Sequence, residues 1–315
     1  MARAAASNLE TSAPKTKLSG RARREAIEGY LFIAPWLVGF VAFTGGPFVA
    51  SFFMSFTDWN ILSTPSWVGF DNYIDIFSED PIFWTSVRVT ALYTLFALPL
   101  KLVAGLGLSL LLNMKLRGIG IYRTIFYLPA VISGVAVSMM WMWIFSKDYG
   151  LLNAALGPLG IDPVGWLQDP RYTLGALIFM SLWTVGASTI IFLAGLQNIP
   201  NELYEAATID GAGAVTKFRR VTLPMLSPTI FFLLVIGVID SFQTFTQAYV
   251  ITGGGPMRAT YFYMLHLYNE AFGQLHMGYG AALAWILASV ILVFTALIFK
   301  SSPLWVYYEG QREAR

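Results

Sequence analysis

Apolar residues run along this chain in six long stretches separated by polar connections. The stretches cover about 30–56, 86–112, 121–145, 172–197, 226–250 and 279–300. About 20 apolar residues wound as a helix cross the roughly 30 Å hydrocarbon layer of a bilayer, so each stretch predicts one transmembrane helix. The pattern as a whole predicts an all-α polytopic membrane protein. The second stretch contains Pro99, Lys101, Gly105 and Gly107, and the fifth contains Asp240 among several polar residues. Both still read as spans, because these positions are isolated among Leu, Phe, Val and Ile. No internal repeat is visible, and no linker marks a second domain.

Composition sharpens this picture. The chain is 56% hydrophobic and only 12% charged, about half the charge of an ordinary soluble domain. Its net charge of +2 is too small to suggest nucleic acid as a partner. With no cysteine among 315 residues, disulfides and thiol chemistry are excluded. The N-terminus is polar and basic, and the apolar run behind it, Tyr30 to Phe56, is too long for a signal peptide and has no A-x-A-like site after it. Residues 1–29 are therefore expected to be a cytoplasmic tail, disordered over the first twenty, and the run a retained first span. A membrane domain over 30–300 and a C-terminal tail over 301–315 complete the expected organisation.

Lys and Arg gather on the cytoplasmic side of membrane proteins. With the N-terminus inside, the inner segments are the tail, 113–123, 198–225 and the end from Lys300, holding six, three, three and three basic residues. The outer side holds Lys147, Arg171, Arg258 and Arg88. Fifteen against four predicts that both termini are cytoplasmic. The outer connections, near 57–85, 146–171 and 251–278, are modest in size and acidic, which suits either a partner protein or a solvated loop face. His266 and His276 lie in the third, without an acidic cluster beside them in sequence, and no metal site is expected.

The inner connection before the fifth stretch reads NELYEAATIDGAGAVTKFRRVTLP, residues 201–224. Asn201 suits an N-cap, and Glu202 and Glu205 favour a first turn through the helix dipole. Ala206 and Ala207 keep the helix thin, and Gly211 and Gly213 allow a break after Asp210. A second amphipathic segment places Val215, Phe218 and Val221 on an apolar side, with Lys217, Arg219 and Arg220 outward. Leu223-Pro224 is expected to end it and turn the chain into the next span. The segment predicts two short helices along the inner membrane face, shaped to fit against another surface.

These residues carry a resemblance. Glu205-Ala206-Ala207, three residues, Gly211, nine residues, Val221-x-Leu223-Pro224 resembles the EAA signature of bacterial ABC importer permeases, with Val221 where the family usually has Ile. YLFIAPWLVGF at 30–40, SFTDWN at 55–60, VGFDNY at 68–73, FYLPAVIS at 126–133 and TGGGP at 252–256 resemble the carbohydrate-uptake branch. The resemblance implies a type I permease whose loop is a coupling helix docking on a cytoplasmic ATPase. Carried onto this chain, Glu205, Ala206, Ala207, Asp210 and Gly211 become docking contacts, with Glu205 the charged one, while Leu223 and Pro224 fix the return to the membrane. It further implies a second, different permease chain, two ATPase subunits and an extracytoplasmic solute-binding protein, in the cytoplasmic membrane of a bacterium or archaeon. The chain itself contains no G-x-x-x-x-G-K-[ST] phosphate loop, so no cofactor is expected on it, and ATP with Mg²⁺ would be held by the partner ATPase subunits.

Polar groups inside spans cost roughly 2.5–3.5 kcal/mol each when charged at a helix centre, and persist where they face a cavity, a partner or one another. The fifth stretch offers Asp240, Ser241, Gln243, Thr244, Thr246 and Gln247, of which Asp240, Thr244 and Gln247 would share one helical face. The fourth offers Trp183, Thr184, Ser188 and Thr189, with Gly186 giving room. Such neutral polar groups suit a hydroxyl-rich cargo such as a sugar, with helix–helix hydrogen bonding as the alternative use. The resemblance singles out Thr184, Ser188, Ser241 and Thr244 as pathway residues. Lys101 is expected either to pair with Asp240 or to face a polar cavity. Two other functions were open to such a chain. An ion-coupled secondary transporter fits poorly with six spans and no repeat pair, and a membrane enzyme lacks paired carboxylates or a histidine on the inner side.

Overall fold

The computed structural model describes residues 20–114 and 116–307. The N-terminal tail through Ser19, Lys115 and the end of the C-terminal tail from Tyr308 lie outside the described residues, and so do the expectations placed on them. The chain divides into two compact units, residues 1–53 and 54–315. In the first, α1 (Gly20–Phe40) continues through a π-helical turn at Val41–Gly45 into α2 (Gly46–Met54). The stretch from Arg23 to Met54 is long and apolar enough to cross a membrane.

The second unit opens with β1 (Thr57–Asp58) and β2 (Ser66–Trp67), a short antiparallel pair that sets Thr57 opposite Trp67. The helices α3 (Asp71–Ser78), α4 (Pro81–Leu112), α5 (Ile119–Tyr127), α6 (Gly134–Ile144), α7 (Leu151–Leu156), α8 (Pro170–Ser181) and α9 (Gly186–Gln197) follow. After them come α10 (Asn201–Ile209), α11 (Ala214–Lys217), α12 (Leu223–Met225), α13 (Ser227–Phe242), α14 (Tyr263–Tyr268) and α15 (Met277–Trp305). Asn72 on α3 donates to the carbonyls of Ser55 at 2.9 Å and Thr57 at 3.0 Å, which ties that helix to the strand pair.

Among the described residues of this unit, α4 and α15 are the unbroken spans. The third and fourth apolar stretches, expected as single helices, are each bent, and a further bend falls where the inner connection enters the fifth. The pair Ile119–Val131 and Gly134–Ile144 meets at 99°, Pro170–Thr184 and Gly186–Gln197 at 49°, and Ala214–Met225 and Ser227–Phe242 at 62°. Two of the bends have a local cause. Before α6 the chain is extended at Ile132 and Ser133, and the Ser133 hydroxyl caps the new helix by accepting from the Ala136 amide at 3.3 Å. At α13, Pro228 has no N–H for the carbonyl of Pro224, and the Ser227 hydroxyl donates to that carbonyl instead at 2.6 Å. The chain therefore stays helical through Leu223 and Pro224 and turns at Leu226, rather than ending at Leu223-Pro224 as expected.

α4 is the spine of the unit, packing against α8, α9, α13 and α14. It runs antiparallel to α13. Leu106 and Leu110 pack with Leu226 at one end, Leu98 meets Gly237 midway, and Tyr93 stands beside Thr244 at the other. One core gathers Tyr93, Ala97, Trp141, Phe145, Leu177 and Phe262 between α4, α6 and α8, and a second joins Ile76, Phe83, Tyr263 and Leu283. Gly186 lies so close to α5 that a Cβ there would overlap the Phe126 carbonyl.

Candidate functional site

A cavity of about 360 Å³ opens where α4, α8, α9 and α13 converge on the bend before α6. The helix breaks border it: Ile132 and Gly134 at that bend and Thr184 before α9 lie on its wall. Its polar lining comes from Ser181 and Thr184 at the end of the first half of span four, Ser188 on α9, and Asp240 and Ser241 on α13, with Gln247 and Lys101. Apolar residues, among them Pro129, Ile191, Leu233 and Ile236, supply the remaining wall. The volume is that of a small-molecule site, and a mainly apolar wall with a few converging polar groups is the usual lining of one.

Five of the seven pathway candidates come together here: Thr184, Ser188, Asp240, Ser241 and Gln247. Trp183 does not line the cavity; it packs edge-on against Trp141, with ring centroids 6.0 Å apart. Thr244 is buried and also off the wall. The expected shared helical face of Asp240, Thr244 and Gln247 is absent, because α13 ends at Phe242 and Thr244 and Phe245 are non-helical. Gln247 reaches the cavity from the restarted helix beyond that break. Its Oε1 is buried and has no hydrogen-bond partner among the described residues. Ser181, which the sequence reading passed over, donates its hydroxyl to the Ile178 carbonyl at 2.6 Å and faces the cavity at the bend. Its only signal was its place one turn before Trp183-Thr184.

At the far end of the unit, residues 201–225 form a compact bracket. Asn201 is not an N-cap as expected; Pro200 occupies that position and Asn201 begins α10. Gly211 takes a left-handed φ of 73°, and the amides of Gly211 and Ala212 close the helix on the carbonyls of Thr208 and Ala207. The break after Asp210 thus falls where the glycines allowed it. Tyr204 and Thr222 share a hydroxyl hydrogen bond of 2.9 Å, and the Lys217 ammonium donates to Thr208 at 2.8 Å. These two bonds brace α10 against the segment that leads into α13. Tyr204, Val221 and Met225 pack on the buried residues Leu196, Ile199 and Leu226. Val215, expected on the apolar side, is instead 67% exposed. Glu205, Ala206, Asp210 and Gly211 are exposed, Ala207 is half-buried, and Ile209 stands out with 87% of its surface exposed. Leu223 is 38% exposed and Pro224 half-buried.

At the opposite end, Asp80 joins three elements. One carboxylate oxygen accepts from the amides of Ile82 and Phe83, capping α4, and the other lies 2.8 Å from His266 Nε2 and accepts from the Tyr279 hydroxyl at 2.9 Å. Burial alone raises this carboxyl, but the Phe83 amide, the Tyr279 hydroxyl and His266 outweigh it and hold it below the ordinary value of 3.8. His276 lies 3.1 Å from Glu270. Each histidine therefore has its own carboxylate, Asp80 reaching His266 from 186 residues away in the chain.

Residues 101–303 match the family model for the binding-protein-dependent transport system inner membrane component. Among curated relatives, the probable ABC transporter permease protein YesP of Bacillus subtilis is 44% identical over 301 residues, covering 94% of this chain and 97% of that one. The trehalose/maltose transport system permease protein MalF of Thermococcus litoralis is 35% identical over 279 residues, covering 88% of this chain and 94% of that one. Among solved structures, a chain of a bacterial ABC transporter involved in the import of the acidic polysaccharide alginate superposes with a TM-score of 0.79 at 25% identity, covering 90% of this chain and 98% of that one.

Proposed function

The chain belongs to the family of inner-membrane components of binding-protein-dependent transport systems, and from that premise we propose that it is the permease subunit of an ATP-driven importer carrying a sugar or sugar derivative into the cytoplasm. The observation that carries the cargo class is the cavity wall. Ser181, Thr184, Ser188 and Ser241 offer hydroxyls, and Gln247 offers an unpartnered amide oxygen, within an apolar surround. A polyol satisfies such groups by exchanging hydrogen bonds, while the apolar wall covers the faces of the sugar ring. Relatives whose names specify trehalose and maltose, arabinooligosaccharides or starch degradation products agree with that class.

The 201–224 bracket is the handle through which ATP hydrolysis in separate subunits moves the cavity helices. Support comes from its shape: an exposed apolar tip at Ile209, flanked by Leu203 at 39% exposure and by Glu205, stands on a base braced by Tyr204–Thr222. Such a tip suits a protein groove better than water. From the bracket, the bend at Leu226 passes directly to α13, whose far half carries Asp240 and Ser241. A push on α10 thus reaches the cavity through one helix. The membrane assembly is completed by a second permease chain and two ATPase subunits that hold ATP and Mg²⁺. A solute-binding protein delivers cargo to the Asp80 end, which faces outward with both termini inside.

The test is uptake by the full importer in proteoliposomes. Glu205→Lys is expected to reduce co-purification of the ATPase and abolish uptake, and Ser241→Ala is expected to raise the KM for cargo while leaving assembly intact. Unchanged assembly and uptake in Glu205→Lys would overturn the docking role, and an unchanged KM in Ser241→Ala would remove that residue from the pathway.

A further inference from the structure

Helix α3 presents three different sides. Asn72 and Ile76 face the protein and are buried. Phe70 at its N-cap, Ile74 and Phe77 fall at i, i+4 and i+7 and form an apolar stripe on the opposite side, 66%, 58% and 49% exposed. Asp71, Asp75 and Ser78 are exposed on a third side between the two. The stripe does not end with the helix. The Trp84 indole N–H donates to the Phe77 carbonyl at 3.2 Å, so Trp84, itself exposed, carries the apolar surface onto α4, a helix long and apolar enough to cross a membrane.

Arg88 indicates what covers this stripe. It lies one turn after Trp84 on the same face of α4 and is exposed. It is in none of the ion pairs among the described residues. A guanidinium on the exposed face of a span is costly in hydrocarbon, and its long stem carries the charged head to the headgroup layer. Side chains on a helix lean toward its N-terminus, so Arg88 reaches back the roughly 6 Å to the level of Trp84. That sets lipid phosphates at the height of Trp84 and Phe77. The stripe of Phe70, Ile74 and Phe77 then lies against the glycerol and upper acyl layer, as an interfacial helix does, with Asp71 and Asp75 turned away from it. A soluble partner seated on the stripe would leave Arg88, deeper on the same surface, without a counter-charge.

We propose that α3 is a membrane-surface anchor, its apolar stripe seated in the phospholipid leaflet at the Asp80 end and a lipid phosphate held by Arg88. The proposal rests on the chain being embedded in a bilayer, not on its cargo or its coupling. The complete importer is reconstituted in phosphatidylcholine vesicles with a nitroxide on Ile74→Cys, Phe77→Cys or Asp75→Cys, each the one thiol of a chain that has no cysteine of its own, beside companion subunits freed of cysteine. At 74 and 77, collisions with oxygen, which dissolves in lipid, should exceed those with a water-soluble nickel chelate several-fold, and the order should reverse at 75. Greater access of the nickel chelate at 74 and 77 overturns the proposal in favour of a water-facing docking side. Exclusion of both reagents there overturns it in favour of cover by a companion subunit. The phosphate contact is read separately. On moving from phosphatidylcholine to vesicles of phosphate-free digalactosyldiacylglycerol, the melting temperature of the wild-type importer and of Arg88→Lys should fall further than that of Arg88→Gln. Equal falls in wild type and Arg88→Gln overturn that contact. Neither readout involves sugar or ATP, so failure of the proposed transport function would leave both unmoved.

Discussion

Gln247 and Asp80 show two opposite uses of a polar side chain. The amide oxygen of Gln247 is buried at the cavity with no partner, a state that lowers stability by roughly 1–3 kcal/mol. Replacing it with Leu should therefore leave the melting temperature of the purified permease unchanged or higher while raising the KM for cargo several-fold, the trade expected of a binding residue. Asp80 is saturated instead, with two amides, His266 and Tyr279 on its two oxygens. Asp80→Asn keeps an acceptor for the amides but meets His266 and Tyr279 with an NH₂ group, and should cost on the order of 2 kcal/mol of stability. Because the folded carboxyl is held below its ordinary value, its contribution is complete above about pH 3.8 and is lost as pH falls through the lower folded value. Thermal melts of wild type and Asp80→Asn should accordingly differ at neutral pH and converge in acid below that range.

Among the elements, the bends border the cavity. Six apolar stretches were legible from residue type alone, because the length that spans a bilayer is set by geometry. That the third and fourth are bent was not legible: Ser133 and Gly186 permit a break, but a polar or small residue inside an apolar run is equally compatible with a continuous helix held by its neighbours. The same blindness produced the error over Thr244. The i, i+4 and i+7 rule assumed a helix that stops at Phe242, so only the residues on either side of the stop reach the cavity. The break in the 201–224 bracket was readable because its chemistry is local, a left-handed Gly211 after Asp210, whereas the cap at Asn201, the side of Val215 and the end at Leu223-Pro224 depend on tertiary packing and were not. The Asp80–His266 contact spans 186 residues and leaves no local trace. Packing at the bends gives a direct test. Gly186→Ala pushes a methyl into the Phe126 carbonyl and should destabilise by about 1–3 kcal/mol, whereas Gly175→Ala, in the preceding half of the same span, meets nothing within 4 Å and should be neutral or stabilising by up to about 1 kcal/mol. Equal melting temperatures for the two variants would mean that the close approach of α9 to α5 does not shape the bend.

Across the whole molecule, α13 links two sites that lie at different depths. Its first turn is anchored by Leu226 beneath the coupling bracket, and its last turns carry Asp240 and Ser241 on the cavity wall. On the proposed coupling, motion imposed on Ala206 and Ile209 would arrive at the cavity as a tilt or shift of one helix against the α4 spine, a linkage between distant sites through a rigid element. The Tyr204–Thr222 bond braces the bracket, and if the bracket transmits such motion, Tyr204→Phe should lower uptake per ATP hydrolysed without lowering the ATPase rate. Since the chain has no cysteine, Ala206→Cys introduces a unique thiol at the tip of the handle. Cross-linking that thiol to a cysteine in the ATPase groove, within the assembled importer, should form a covalent dimer whose yield changes with ATP and should stop uptake until the bond is reduced. If no cross-link to any ATPase position forms while the importer still transports, the bracket is not where ATP hydrolysis is coupled to this chain.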